Sequence, residues 1–205
     1  MERFAKEANK SAKALSSSTK EYTEASLIYY QQGLSDEEVK KRTDVTVKMA
    51  NVTGEAAEDV SSYMTAVWNN FADGSKSLEY YADVMTALGA ATASSTAEIA
   101  TGLEKFAGIA ETVGLSYEYA TSALATLVAE TRQSPETVGT ALKTIFSRLQ
   151  GLKLGETLED GTNLNKYSEA LKVVGVDIKD SNGALKDMDD ILDELGSKWN
   201  TISKD

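Results

Sequence analysis

The chain has no histidine and no cysteine, and only one proline among its 205 residues. Without cysteine there is no disulfide, no thiolate nucleophile and no thiolate zinc site. Without histidine there is no Ser–His dyad, no imidazole metal ligand and no Glu-x-x-His pair of the di-iron bundle kind. Catalysis would have to run on carboxylates, Lys, Tyr or Ser alone, which sets aside most enzyme classes. Proline breaks helices, so its near absence permits long ones and shifts the expectation to an all-α fold. Long apolar runs are missing too. The longest uncharged stretch, Val84 to Ala97, is 14 residues of mostly small types, where a membrane span needs about 20 apolar ones. Glu2, Arg3, Lys6 and Glu7 leave no apolar middle for a signal peptide.

What is present is ordinary for a folded chain: 41 % hydrophobic and 26 % charged residues, enough chain for one large domain or two small ones. The net charge of −11 is uneven. Residues 51–131 hold 2 basic and 11 acidic side chains, whereas 132–153 reverse to 4 basic and 1 acidic. An acidic chain with one short basic segment is not built for sequence-specific nucleic-acid binding, where phosphate neutralisation dominates affinity.

Apolar spacing sets out the helices. Phe4, Ala8, Ala12, Leu15, Tyr22, Ala25 and Tyr29 mark one stripe of a single helix over 1–32, weakened by the polar tract Ser16 to Lys20 and closed by Gly33. Ser35 with Glu38 forms a capping box that opens the next helix, which runs to about Ala50. Ala57, Val60, Met64, Val67 and Phe71 follow a 3-4-3-4 spacing and end at Asp73-Gly74. Further stripes are Leu78 to Leu88, Ile99 to Val113, Tyr117 to Thr131, and Val138, Leu142, Ile145, Phe146 and Leu149. Ser134-Pro135-Glu136 starts the last of these, which ends near Gly151. Short connections between such segments mean antiparallel neighbours. Gly89, Ala90, Ala93, Gly102, Ala107, Gly108, Gly139 and Ala141 suit close helix packing.

The expected architecture is an antiparallel multi-helix bundle with a small C-terminal helix–hairpin–helix appendage. Its divisions are an N-terminal helical segment (1–50), a bundle core (51–151) and the appendage (152–205), the last beginning with a loop over 152–165. In the appendage Val176-Asp177-Ile178 alternates like a strand, and Asn182-Gly183 signals a type I′ hairpin.

Few residues look chemical. Asp189, Asp190 and Asp193 match an Asp-Asp-x-x-Asp magnesium pattern, but no second acidic motif or basic diphosphate site accompanies them. Acids in a first helical turn also answer the helix dipole. The stretch Asp177 to Asp189 fails as a calcium loop in either register. Arg132, Lys143, Arg148 and Lys153 are expected to pair with the acidic helices of 51–131. In the pairs Tyr29-Tyr30 and Tyr80-Tyr81 one ring is expected inside and the other at an interface. Gly139, Thr140, Lys143, Arg148 and Trp199 are the candidate interaction and packing residues. No catalytic site, cofactor or metal is expected.

The succession Ala87-Leu88-Gly89-Ala90-Ala91-Thr92-Ala93-Ser94-Ser95-Thr96-Ala97-Glu98, then Gly114-Leu115-Ser116-Tyr117, then Ser134-Pro135-Glu136-Thr137-Val138-Gly139-Thr140 closely resembles the core region of phage tail tape measure proteins. Gly175-Val176-Asp177, Gly183-Ala184-Leu185 and the helix from Ile191 to Trp199 resemble the short module that follows in that family. The resemblance covers roughly 50–203. It implies a structural role in setting tail length, self-association, and work with tail tube, tail chaperone and baseplate proteins. It also implies a place in the tail tube lumen, with assembly in the host cytoplasm. Family members are much longer, so the chain is expected to be a piece of a larger polypeptide. A free-standing helical scaffold that binds a partner through an exposed stripe is the other reading.

Overall fold

A computed structural model describes residues 2–154 and 165–202. It holds ten α-helices, with no strand among the described residues: α1 (Glu2–Ala14), α2 (Thr19–Gln31), α3 (Asp36–Thr53), α4 (Ala57–Phe71), α5 (Leu78–Ala91), α6 (Thr96–Thr112), α7 (Tyr117–Thr131), α8 (Pro135–Leu154), α9 (Asn165–Val173) and α10 (Met188–Lys198). A 3₁₀ turn, Trp199–Thr201, follows α10. The fold is the all-α bundle that the helical stripes and scarce proline imply.

Serine starts most of these helices. Ser18, Ser35 and Ser95 form complete capping boxes with Glu21, Glu38 and Glu98, each satisfying two backbone N–H groups that the first turn leaves open. Ser77, Ser116 and Ser134 accept from the backbone of Tyr80, Tyr119 and Thr137. The first of these boxes overturns the single helix expected over 1–32. Ser16 adopts a left-handed φ of 56°, Ser18 caps α2, and α1 folds back on α2. The Asn51 side-chain amide ties this turn to α3 by donating to the Leu15 carbonyl at 2.6 Å.

Two other boundaries shift. Helix α5 continues two residues past Gly89, and α8 continues past Gly151 to Leu154. A lone glycine weakens a helix by about 1 kcal/mol, which tertiary packing readily offsets. Of the rest of the expected loop, 155–164 lie outside the described residues and Asn165 begins α9.

The core is continuous. Trp68, Tyr29, Phe106, Phe146, Met64, Met85, Ile99, Leu103 and Leu124 are fully buried, and one apolar cluster runs from Ala8 to Ile191. Helices α1–α3 pack on the bundle through it. The Tyr29 hydroxyl shares a hydrogen bond with Thr46 at 2.6 Å and donates to the Ser61 carbonyl at 3.5 Å. The Arg42 guanidinium lies 5.2 Å above the Trp68 ring, a cation–π contact for a cation whose Nη1 is buried without a hydrogen-bond partner.

The most extensive helix pairing is α6 with α8, and glycine makes it possible. A Cβ on Gly139 would run into the Gly102 carbonyl, and one on Gly102 would meet the Pro135 carbonyl oxygen at 3.0 Å. Backbone therefore rests on backbone at the crossing. Close packing holds at Gly89, Gly102, Ala107 and Gly139, whereas Ala90, Ala93 and Ala141 face solvent.

Candidate functional site

The α6–α7 junction, Val113-Gly114-Leu115-Ser116, is a receptor for the C-terminal module. Gly114 has a left-handed φ of 74°, and the Asp187 carboxyl carbon sits 3.0 Å from where a Cβ would stand. Next to it the Met188 N–H donates to the Val113 carbonyl at 3.2 Å. The Ser116 N–H donates to the Asp189 carboxylate at 3.1 Å. Met188 and Ile191 are buried there, as are Val176 and Ile178 of the same module. Asp189 thus serves as a docking group, and Asp193 lies against Tyr119, whose hydroxyl pKa rises through burial and that carboxylate. Among the described residues no group of acidic side chains is arranged to hold a metal ion.

Inside the module the expected strand and type I′ hairpin are replaced by a single antiparallel bridge, Lys179 to Leu185. A type I′ turn needs two adjacent left-handed residues. Here Gly183 alone is left-handed, at φ 81°. Its N–H donates to the Asp180 carbonyl at 3.1 Å, and the Asp180 carboxylate accepts from the N–H groups of Asn182 and Ala184, both at 2.9 Å. That aspartate favours a three-residue loop with glycine last. Glu194 sits between Lys186 at 2.8 Å and Lys198 at 2.7 Å. Hydrogen bonds from Lys186 and then Lys198 hold its carboxyl down to about 2, from the usual 4.5. Lys198 also donates to the Gly175 carbonyl, so this cluster clips the loop to α10.

The five candidate residues are separated. Gly139 is buried at the α6 crossing, Thr140, Lys143 and Arg148 are exposed on α8, and Trp199 is 67 % exposed on the closing turn. The expected pairing with the acidic helices is not made by Arg132, Lys143 or Arg148. Among the described residues ion pairs lie within helices (Lys20–Glu24, Lys40–Asp44, Lys41–Glu37, Lys198–Glu194) or inside the module (Lys186–Glu194), and none involves Arg132, Lys143 or Arg148. On α8 the reason is that the helix buries Gly139 and apolar side chains, which leaves Lys143 and Arg148 exposed. Lys153 lies outside the described side chains.

Beside the outward face of α8 runs an apolar groove of about 440 Å³ between α7, α8 and α10, lined by Tyr119, Leu127, Leu142, Ile145, Phe146 and Leu192. Leu127 and Ile145, both on the expected core stripes, are 37 % and 49 % exposed. The tyrosine pairs each turn one ring inward: Tyr29 and Tyr81 are buried, Tyr30 and Tyr80 half-buried. Tyr80 bonds Glu118, and the Tyr117 hydroxyl donates to the Tyr81 carbonyl at 2.7 Å. Burial raises the hydroxyl pKa of Tyr29, Tyr63 and Tyr117 well above 10. No helix among the described residues is long and apolar enough to cross a membrane.

Residues 6–205 match the model of a family described as phage-related minor tail protein. The chain belongs to that family. No curated protein and no solved structure matches it. The match takes in the N-terminal helices together with the bundle and the module, in keeping with a core shared by all three. As a minor tail protein the chain has a structural role in the phage tail, and its place is the virion tail. For a minor tail protein the informative features are packing and docking surfaces, and the α6–α7 junction is the one the structure fills from within.

Proposed function

We propose that this minor tail protein is the folded core region of a tape measure protein, part of the assembly that sets tail length and organises the tail tube. The reading is carried by the order of its junctions. The small-residue turn into α6, the Gly114-Leu115-Ser116 step and the Gly139-Thr140 helix occur in the succession that resembles that family, and the step is the seat of the downstream module. Within the longer polypeptide this region acts as a docking block, with Asp189 of its acidic motif engaged on the Ser116 N–H. Its partners are the tail tube, tail chaperone and baseplate proteins. It works in the tube lumen after assembly in the host cytoplasm, without sequence-specific nucleic acid or membrane contact.

Peptide mass spectrometry on purified tails tests this. The expected result is peptides of this chain beside others from the same longer polypeptide, with tail length in electron micrographs following in-frame deletions elsewhere in that polypeptide. A free species of this size in the cytosol, with none in tails, would overturn it and leave a free-standing scaffold.

A further inference from the structure

Asn182-Gly183 is the only Asn-Gly step in the sequence, and both residues are exposed at the tip of the module's loop. Such a step can cyclise, because glycine sets no side chain in the way when its own nitrogen attacks the preceding side-chain amide. Among the described residues, nothing beyond its chain neighbours lies within 4 Å of where a Gly183 Cβ would stand. Among them, too, the Asn182 side-chain amide has no hydrogen-bond partner. The backbone is what is held. The Gly183 N–H is engaged on the Asp180 carbonyl at 3.1 Å, the Asp180 N–H on the Ala184 carbonyl at 2.8 Å, and the Lys186 N–H on the Ile178 carbonyl at 3.0 Å. Ile178 is buried in the core, so the closed loop and the docked module share one support. Asp73-Gly74 offers the same step with a carboxyl. Hydrogen bonds from Ser75 hold that carboxyl below its usual pKa, and an ionised carboxylate is a poor target for a nitrogen nucleophile.

We propose that Asn182-Gly183 is a site of spontaneous self-modification, restrained while the module is docked, which once reacted keeps the module from closing again. The Gly183 nitrogen attacks the Asn182 Cγ. An N–Cγ bond forms, the Cγ–Nδ2 bond breaks, and ammonia leaves with the proton from Gly183. Water then opens the cyclic imide to aspartate or isoaspartate, and nothing is oxidised or reduced. The bond to the Asp180 carbonyl restrains the first step, since it occupies the N–H that must be lost. Isoaspartate puts one more carbon in the main chain and shifts the Ala184 N–H away from the Asp180 carboxylate that accepts it. Either product sets a second carboxylate beside that of Asp180, where like charges repel. The site reacts in this way whether or not the chain is part of a tape measure.

Incubating the 205-residue chain at mildly alkaline pH and body temperature tests this. Trypsin then frees the peptide 180–186, bounded by Lys179 and Lys186, and chromatography with mass spectrometry separates its amide, aspartyl and isoaspartyl forms. Asn182 is expected to convert ahead of every other asparagine, yet about tenfold more slowly than in the free peptide 180–186, the weight of one hydrogen bond. Met188→Ala, or more gently Lys198→Met, loosens the module and brings the rate toward that of the peptide. Converted protein is expected to exchange its α10 amides faster. Asn182→Gln incubated in parallel keeps them slow, because glutamine would have to close a larger ring. Equal rates in peptide and folded chain overturn the proposal, as does an Asn182 that outlasts the other asparagines. So do loosened variants that react no faster than wild type, and so does α10 exchange unchanged by conversion.

Discussion

Across α4–α8 the chain buries Trp68, Met64, Phe106, Leu103 and Leu124 to full depth, whereas the module from α9 to α10 buries Val176, Ile178, Met188 and Ile191 and completes its seat with carboxylates, lysines and backbone groups. The bundle thus rests on apolar area and close backbone approach. The module rests on a small apolar plug and a polar clip open to water. Apolar area costs more to expose, so the module is the part that opens first while the bundle stays closed.

The strongest way to break that comparison is at the α6–α8 crossing. Gly139→Ala pushes a methyl into the Gly102 carbonyl and is expected to cost about 3 kcal/mol, lost by the whole molecule in urea denaturation. Met188→Ala removes the fully buried plug and should cost about 2 kcal/mol, confined to the module. Hydrogen exchange would then speed up in α10 and not in α6; equal acceleration in both would mean that bundle and module are one cooperative unit. Asp189→Ala frees the Ser116 N–H to water, a loss of about 1 kcal/mol visible as faster exchange at the α6–α7 junction. The smallest effect is that of acid. Glu194 has a lowered carboxyl pKa, so its contribution is complete above the usual 4.5 and fades as pH falls toward about 2. Amide exchange followed over that window should show α10 loosening ahead of α6, and the reverse order would contradict the contrast.

Much of the bundle was legible because its signals are local. Ser35 and Ser116 open α3 and α7 where a cap was expected, and the left-handed Gly54 and Gly114 follow the ends of α3 and α6. The break between α1 and α2 was hidden because Ser16 turns left-handed with neither glycine nor proline to announce it, although Ser18 and Glu21 have capping-box spacing. Periodicity put Leu127 and Ile145 on the core stripes, but it marks a direction and not how wide an arc the neighbours cover. Both lie at the edge of that arc and line the groove. The docking of Asp189 on Ser116 joins residues 73 positions apart, and nothing near either residue points to the other. The basic side of α8 was visible as a run of charge, but whether it faced acidic helices or solvent depended on the glycines beneath it.

The meeting of Gly102 and Gly139 also has a mechanical side. Helices packed through side chains can slip past one another when those side chains change rotamer, moving by about 5.4 Å for a full turn. Where two main chains touch there is no side chain to flip, and a step along the axis would drive a neighbouring residue's Cβ into a carbonyl. The crossing therefore resists sliding: a pull along α8 is passed to α6 with no rotamer change to absorb it, and the packed Phe106 and Phe146 rings beside it hold the angle.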